Sequence, residues 1–324
     1  MAKLFKGLVD YSKPGAGVKK DKNDKRFTFT NFFPVLGRRF WKLVSMNLLY
    51  VFFNFPVFFG LLGLSGNFDI PFNTPAKMFY PILYGAGLYS KGPAYYALMG
   101  VHGFMIESGY PSATTRILYY LTLLVLLTFG MANVGMAYVT RNFAKEEHAD
   151  VGSDFFLTIK KNFFQGLLLG IVDIALLSVI SFDLYYFYYM QSIGFGMQLM
   201  FYVSIGLGFI YAAMRFYMYI ILVTFKLNTY KIIKNSFIFA LLGIKRNLLA
   251  FIGILLTISI NYFFYMMFPP IGVVMPFIIT FSLCAFISAY AVYPIIKKYM
   301  IIPYYPDADK QPESDVEPVF VDRG

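Results

Sequence analysis

Apolar residues in this chain gather into six long runs separated by polar stretches: Leu43–Leu64, Ile117–Thr140, Phe164–Phe182, Gly196–Phe225, Leu248–Phe268 and Ile271–Ile296. The first, second, fifth and sixth hold no charged residue. A hydrocarbon core of about 30 Å asks for about 20 apolar residues of a helix. Lipid offers bare N–H and C=O groups no partner, so such runs close their hydrogen bonds internally, as helices. The pattern predicts an all-α membrane protein, a bundle of about six transmembrane helices.

The polar stretches set a direction. All but four of the 28 Lys and Arg residues fall on one side if the spans alternate. Lys77, Lys91 and Arg116 fall on the other side, and Arg215 lies inside a span. Cytoplasmic loops retain Lys and Arg, so both termini are expected in the cytoplasm. Residues 1–26 read as a basic arm, interrupted at Lys13-Pro14-Gly15-Ala16-Gly17 and expected to be disordered against the inner leaflet. The mixture of Phe27, Phe29, Phe32, Phe33, Arg38, Arg39, Phe40, Trp41 and Lys42 suits an interfacial helix that feeds the first span. The membrane domain then runs over 27–302. The tail 303–324 is acidic and Pro-rich and reads as disordered.

An external insertion occupies 65–116. Within it, 78–106 is moderately apolar, and a seventh span or an ordered external or re-entrant segment both fit; Lys91, Gly92 and Pro93 at its centre favour the second. The external turn Asp183–Phe195 carries Tyr185, Tyr186, Tyr188 and Tyr189, which suit an interfacial aromatic belt or a sugar face. Each odd-numbered span follows an aromatic stretch and a basic pair: Arg38-Arg39, Lys160-Lys161 and Lys245-Arg246. Three helical hairpins, each entered through an amphipathic helix, would produce this, and so would a basic anchor before every inward-starting span.

Composition agrees. Hydrophobic residues make up 58% and charged residues 14%, against about 25% charged in ordinary soluble domains. The net charge of +11 does not argue for nucleic acid, because the excess sits beside spans, where anionic headgroups attract it. Membrane lipid is the expected partner of that charge. The single cysteine, Cys284, allows no intrachain disulfide and no thiol pair. The first apolar run is too long and too late for a cleavable signal.

Two charges lie deep inside spans, Asp173 and Arg215. Intramembrane charges are costly and are paired or functional. At 1.5 Å per residue both lie about 14–15 Å from the same side, close enough for an ion pair or a shared water. The pair would line a substrate path or clasp the third span to the fourth. Asn47, Asn54 and Asn133 can hydrogen-bond between helices, and Gly166 with Gly170 permits close helix approach. His148 beside Glu146, Glu147 and Asp150 is a poor metal-ligand set, so no metal and no cofactor is expected. No phosphate-binding Gly loop, Gly-x-Ser-x-Gly or His-Glu-x-x-His occurs, and the chain is not expected to be an enzyme.

Over Thr128–Gly166 the chain reads TFGMANVGMAYVTRNFAKEEHADVGSDFFLTIKKNFFQG. Gly130, Ala132, Arg141, Lys145, Glu146, Glu147, His148, Asp154, Phe155, Lys160, Lys161, Asn162 and Phe163 resemble the YesL-like family of bacterial integral membrane proteins, domain of unknown function 624. Met131 stands where that family often has Pro, and the insertion 65–116 is a departure. The resemblance implies a multi-pass protein of the bacterial cell membrane whose genes often accompany carbohydrate uptake and degradation systems. It implies no mechanism. The expected function is a non-enzymatic accessory or regulatory component of carbohydrate uptake. A carbohydrate ABC transporter or another membrane protein would be met through Arg141, Glu146, Glu147, His148, Asp154, Phe155, Phe156, Lys160 and Lys161. The alternative is a transporter or permease-like subunit with Asp173 and Arg215 on the substrate path.

Overall fold

The computed structural model describes residues 27–75, 78, 80–89 and 91–304. The basic arm 1–26 and nearly all of the acidic tail, 305–324, lie outside the described residues. Thirteen α-helices follow one another among the described residues: α1 Phe29–Phe53, α2 Pro56–Leu64, α3 Tyr80–Tyr89, α4 Pro93–His102, α5 Ala113–Thr122, α6 Val125–Ala144, α7 Val151–Lys161, α8 Phe163–Met190, α9 Phe195–Thr224, α10 Thr229–Leu242, α11 Ile244–Met267, α12 Pro269–Met275 and α13 Phe281–Ile296. Short π-helical turns at Pro276–Thr280 and Lys297–Ile301 flank α13.

Among the described residues five helical stretches are long and apolar enough to cross a membrane: Ala113–Ala144, Phe163–Ile193, Phe195–Thr224, Ile244–Met267 and Pro269–Ile301. The first expected span differs. Leu43–Leu64 is not one helix but the end of α1 joined to α2 with a bend of 62°, and it makes a sixth span only if the bent pair is counted as one. Pro56 opens α2 and has no N–H to continue the ladder of α1, which is why the break falls there. The stretch expected to be an interfacial lead-in is continuous with the span, since α1 begins at Phe29. At the other end, the expected turn after residue 182 is two further turns of α8.

The insertion is ordered by a two-stranded antiparallel sheet, β1 Ile70–Pro75 paired with β2 Met105–Tyr110. Between the strands stand α3 and α4. Each has 10 residues, about 15 Å, too short to cross a bilayer alone. Asp69 anchors the sheet to the bundle by accepting a hydrogen bond from the buried Thr115 hydroxyl on α5, 2.7 Å.

Small residues set the tightest approach. Gly130 of α6 sits on Gly166 and Gly170 of α8, where any Cβ at Gly130 would collide with the Gly166 carbonyl. This is the small-xxx-small contact that lets lipid-embedded helices gain dispersion and backbone contact. A basic end of the bundle gathers Phe27, Tyr290 and Tyr293 with ring centroids 5.5 and 5.6 Å from Phe27. Arg246 donates to the Phe27 carbonyl there. A separate short helix precedes two of the spans, α7 before α8 and α10 before α11, whereas before the first span the lead-in is fused into α1.

The last span is held by a side chain from the first. Pro276 and the π turn disturb the helical ladder, and Asn47 repairs it. Its amide donates to the Pro276 and Phe277 carbonyls at 2.8 and 2.7 Å, and its Oδ1 accepts from the Ser282 N–H at 2.9 Å. Asn47 and Ser282 are fully buried. Asn54, seven residues on, does not join it: it lies at the α1–α2 break and donates to the Tyr50 carbonyl of its own helix. Replacing Asn47 with Leu leaves two carbonyls and one N–H without their partner, each costing about 1–3 kcal/mol. The expected outcome for Asn47→Leu is a loss of roughly 3 kcal/mol or more. It is read as a fall in Tm of the purified protein in detergent, while Asn54→Leu falls far less.

Candidate functional site

Asp173 lies one turn beyond the Gly166–Gly170 contact, on the face of α8 turned to α9. Its side chain has no solvent exposure. Three donors meet it. The Tyr211 hydroxyl donates to Oδ1 at 2.7 Å and the Tyr219 hydroxyl to Oδ2 at 2.8 Å. Arg215 Nε completes the set at 2.9 Å from Oδ1 and 3.1 Å from Oδ2. Tyr211, Arg215 and Tyr219 are spaced by four along α9, so they form one stripe on one face. Sequence reading found the two charges and missed the two tyrosines. The i, i+4, i+8 spacing around Arg215 was the signal that could have found them.

Hydrogen bonds to a carboxylate are roughly twice as strong as neutral ones. A buried ion pair regains its desolvation cost only when such bonds complete it. Here Asp173 is completed and Arg215 is not. The arginine side chain keeps 30% exposure, with Cζ 5.7 Å from the Phe129 ring centroid. Arg215 borders a cleft of about 340 Å³ between the helices, together with Tyr50, Asn133, Phe216, Cys284 and Ser288. Asp173 does not line it.

The residues expected to meet a partner divide in two. Arg141 is turned inward: Nη1 donates to the Val223 carbonyl and the Thr224 hydroxyl, both at 3.0 Å, and the guanidinium lies 4.7 Å from the Tyr138 ring. It therefore closes the C-terminus of α9, where unpaired carbonyls and the helix dipole attract a cation. Phe155 is fully buried against Gly135 and the Phe53 ring. Neither is available to a second protein. Their loop setting suggested exposure, but α7 folds back along α6 and carries Phe155 into the packing. Glu146, Glu147, His148, Phe156, Lys160 and Lys161 are exposed, and Asp154 is half-buried, accepting from the Asp150 N–H.

Glu146 itself is strained. Its φ is +60°, a left-handed conformation. Its N–H reaches the Phe143 carbonyl and the next N–H, of Glu147, reaches the Asn142 carbonyl, which is the αL termination of a helix usually occupied by Gly. For another residue that conformation costs roughly 1–2 kcal/mol. α1 holds it in place: Arg38 Nη2 and Asn31 Nδ2 donate to the Glu146 carboxylate at 2.6 and 2.7 Å. Arg39 and Lys42 donate to the Glu147 and Ala149 carbonyls. Then Asp150 caps α7, accepting from the Ser153 hydroxyl and N–H. Those two bonds hold the Asp150 carboxyl below the usual carboxylate range. The capping contribution is present above that range and is lost as the pH falls through the lowered value.

Of the other expected sites, Tyr185, Tyr186, Tyr188 and Tyr189 are exposed on the last turns of α8, with Tyr188 against Phe201 of α9. Among the described residues no three of His, Cys, Asp and Glu come together as a metal site.

Long apolar helices, a carboxylate sealed between two of them and almost no sheet define a multi-pass helical membrane protein. Residues 112–184 match the model of a family described as a protein of unknown function, DUF624, the family that the segment around Arg141–Lys161 resembled. The match runs from the start of α5 into the last turns of α8 and includes both Gly contacts, the strained turn and Asp173. Neither the curated proteins nor the solved structures gave a match.

Removing the carboxylate leaves Arg215 uncompensated in an apolar bundle. Asp173→Ala is expected to cost about 3–5 kcal/mol, and Asp173→Ala with Arg215→Met to recover a large part of it. Thermal unfolding of the four proteins of this cycle in one detergent measures the coupling.

Proposed function

We propose that this protein is a non-enzymatic accessory or regulatory component of a carbohydrate uptake system, working in a bacterial plasma membrane through contact with an importer subunit. The observation that carries this reading is the strained, clamped turn at Glu146. Backbone strain persists where surrounding structure over-determines it, and such places concentrate at functional sites. Four side chains of α1 hold the turn at one geometry. It presents His148 and the start of α7, whose outer side carries exposed Phe156 and Leu157 beside Lys160 and Lys161. Apolar and basic residues on one short helix suit docking to a partner helix or to lipid. The carbohydrate setting rests on the family resemblance.

A second reading, a transporter or permease-like subunit, has one observation in its favour: Arg215 borders a cleft. Against it, Asp173 is sealed, which splits the pair that such a path would need.

Mild crosslinking in native membranes of sugar-grown cells, followed by isolation of the tagged chain, tests the first reading. The expected result is recovery of a carbohydrate importer's permease or ATPase. Lys160→Glu with Lys161→Glu should reduce that recovery severalfold. Glu146→Gly keeps the turn, because Gly accepts positive φ, and removes the Asn31 and Arg38 half of the clamp. It should lower recovery at unchanged protein level. A clean homo-oligomer without importer subunits would overturn the proposal and favour the second reading.

A further inference from the structure

Arg215 carries five N–H donors in a planar fork. Only Nε is engaged, by Asp173. The four N–H groups of Nη1 and Nη2 meet no hydrogen-bond acceptor among the described residues. That edge is the part of the side chain left open, and the cleft of about 340 Å³ is what it opens on. The volume is at the lower end of small-molecule sites, which run from about 300 to 1,000 Å³.

The pair is neutral overall, and the Nη edge is its positive end. The Tyr211 and Tyr219 hydroxyls already share the negative charge of Asp173. The arginine thus touches the carboxylate through one N–H and keeps a second, bidentate edge free. Two parallel N–H groups at that spacing match the paired oxygens of a carboxylate, as they do those of a phosphate. The remaining walls are mostly apolar, with Phe216, Phe251, Ile254 and Phe281 among them, and the neutral polar groups Tyr50, Asn133, Thr140, Tyr219 and Ser288 already donate to acceptors of the bundle. A polyhydroxylated solute would bury more hydroxyls than these walls can pair, at a cost for each. An apolar body with one anionic head buries none unpaired.

We propose that the cleft bordered by Arg215 is a binding site for a small organic carboxylate with an apolar body, its head gripped by Nη1 and Nη2. The site is independent of the first functional reading and shares its cleft with the second. A regulator could sense such a ligand there and a carrier could move it.

The chain supplies its own reporter. Cys284 is the single cysteine, and it lines the same cleft. Purified full-length protein in detergent is treated with methyl methanethiosulfonate, a small neutral thiol reagent, and modification of Cys284 is followed by mass spectrometry. The probes are hexanoate, its neutral counterpart hexanamide, and glucose. Hexanoate should slow modification by about tenfold at about ten times its Kd, as mass action requires, and raise Tm. Hexanamide and glucose should do neither at equal concentration. Arg215→Gln should abolish protection by hexanoate. Should that variant not fold, Ala285→Phe narrows the cleft without touching the ion pair and should abolish the hexanoate shift in Tm. Equal protection by hexanoate and hexanamide would reduce the cleft to an apolar void and overturn the proposal. Protection by glucose alone would replace it with a sugar site. No protection and no Tm shift by any probe would overturn it outright.

Discussion

A carboxylate with no solvent exposure, set among apolar helices, must be given its hydrogen bonds by its neighbours. Asp173 imposes that demand on α9, which answers with Tyr211, Arg215 and Tyr219 from one face. The consequences reach beyond the pair. Three donors spaced over two turns fix both the rotation of α9 and its height against α8. The Gly166–Gly170 surface fixes α8 against α6 in turn. The position of Arg215, and with it the cleft, follows from satisfying one buried acid.

The same physics governs the far side of the bundle. Lipid cannot repair a disturbed helical ladder, so the break at Pro276 needs a protein partner. Asn47 is that partner, with donor and acceptor both in use. Asn47 and Asp173 are alike in kind: each is a single polar side chain whose full satisfaction ties together helices distant in sequence. Arg141 does similar work at the end of α9, using its guanidinium on carbonyls that the helix leaves bare. The bundle is therefore pinned at three levels by polar contacts, while dispersion between apolar faces fills the space between.

Against these satisfied groups two stand out, one by open donors and one by backbone strain. The Nη edge of Arg215 has no internal acceptor among the described residues. Glu146 holds a conformation that its residue type disfavours, kept there by Arg38 and Asn31. The first looks into a cleft inside the bundle and the second out from its basic end. Stored polarity and stored strain of this kind are where a membrane protein built mainly of apolar helices can carry specificity. The two proposals rest on these two features separately, the ligand site on Arg215 and the partner contact on Glu146.

Much of this was legible in the chain alone, because lipid leaves few options. Runs of apolar residues had to be helices, the depth of Asp173 and Arg215 in their runs placed them level, and the Arg141–Lys161 pattern pointed to the DUF624 family. These are properties of composition and of rise per residue, which one dimension contains. What only the tertiary structure decided depends on which faces meet. The bend at Pro56, the inward turn of Arg141 and Phe155, the two tyrosines on Asp173 and the pairing of Asn47 with Pro276 each join positions whose rotation about the helix axis is set by packing. Apolar residues surround most of these spans on all sides, so hydrophobicity marks that a helix is in the membrane but not which side faces its neighbour. The buried polar groups and the close glycine contacts, once folded against their partners, supply that angle.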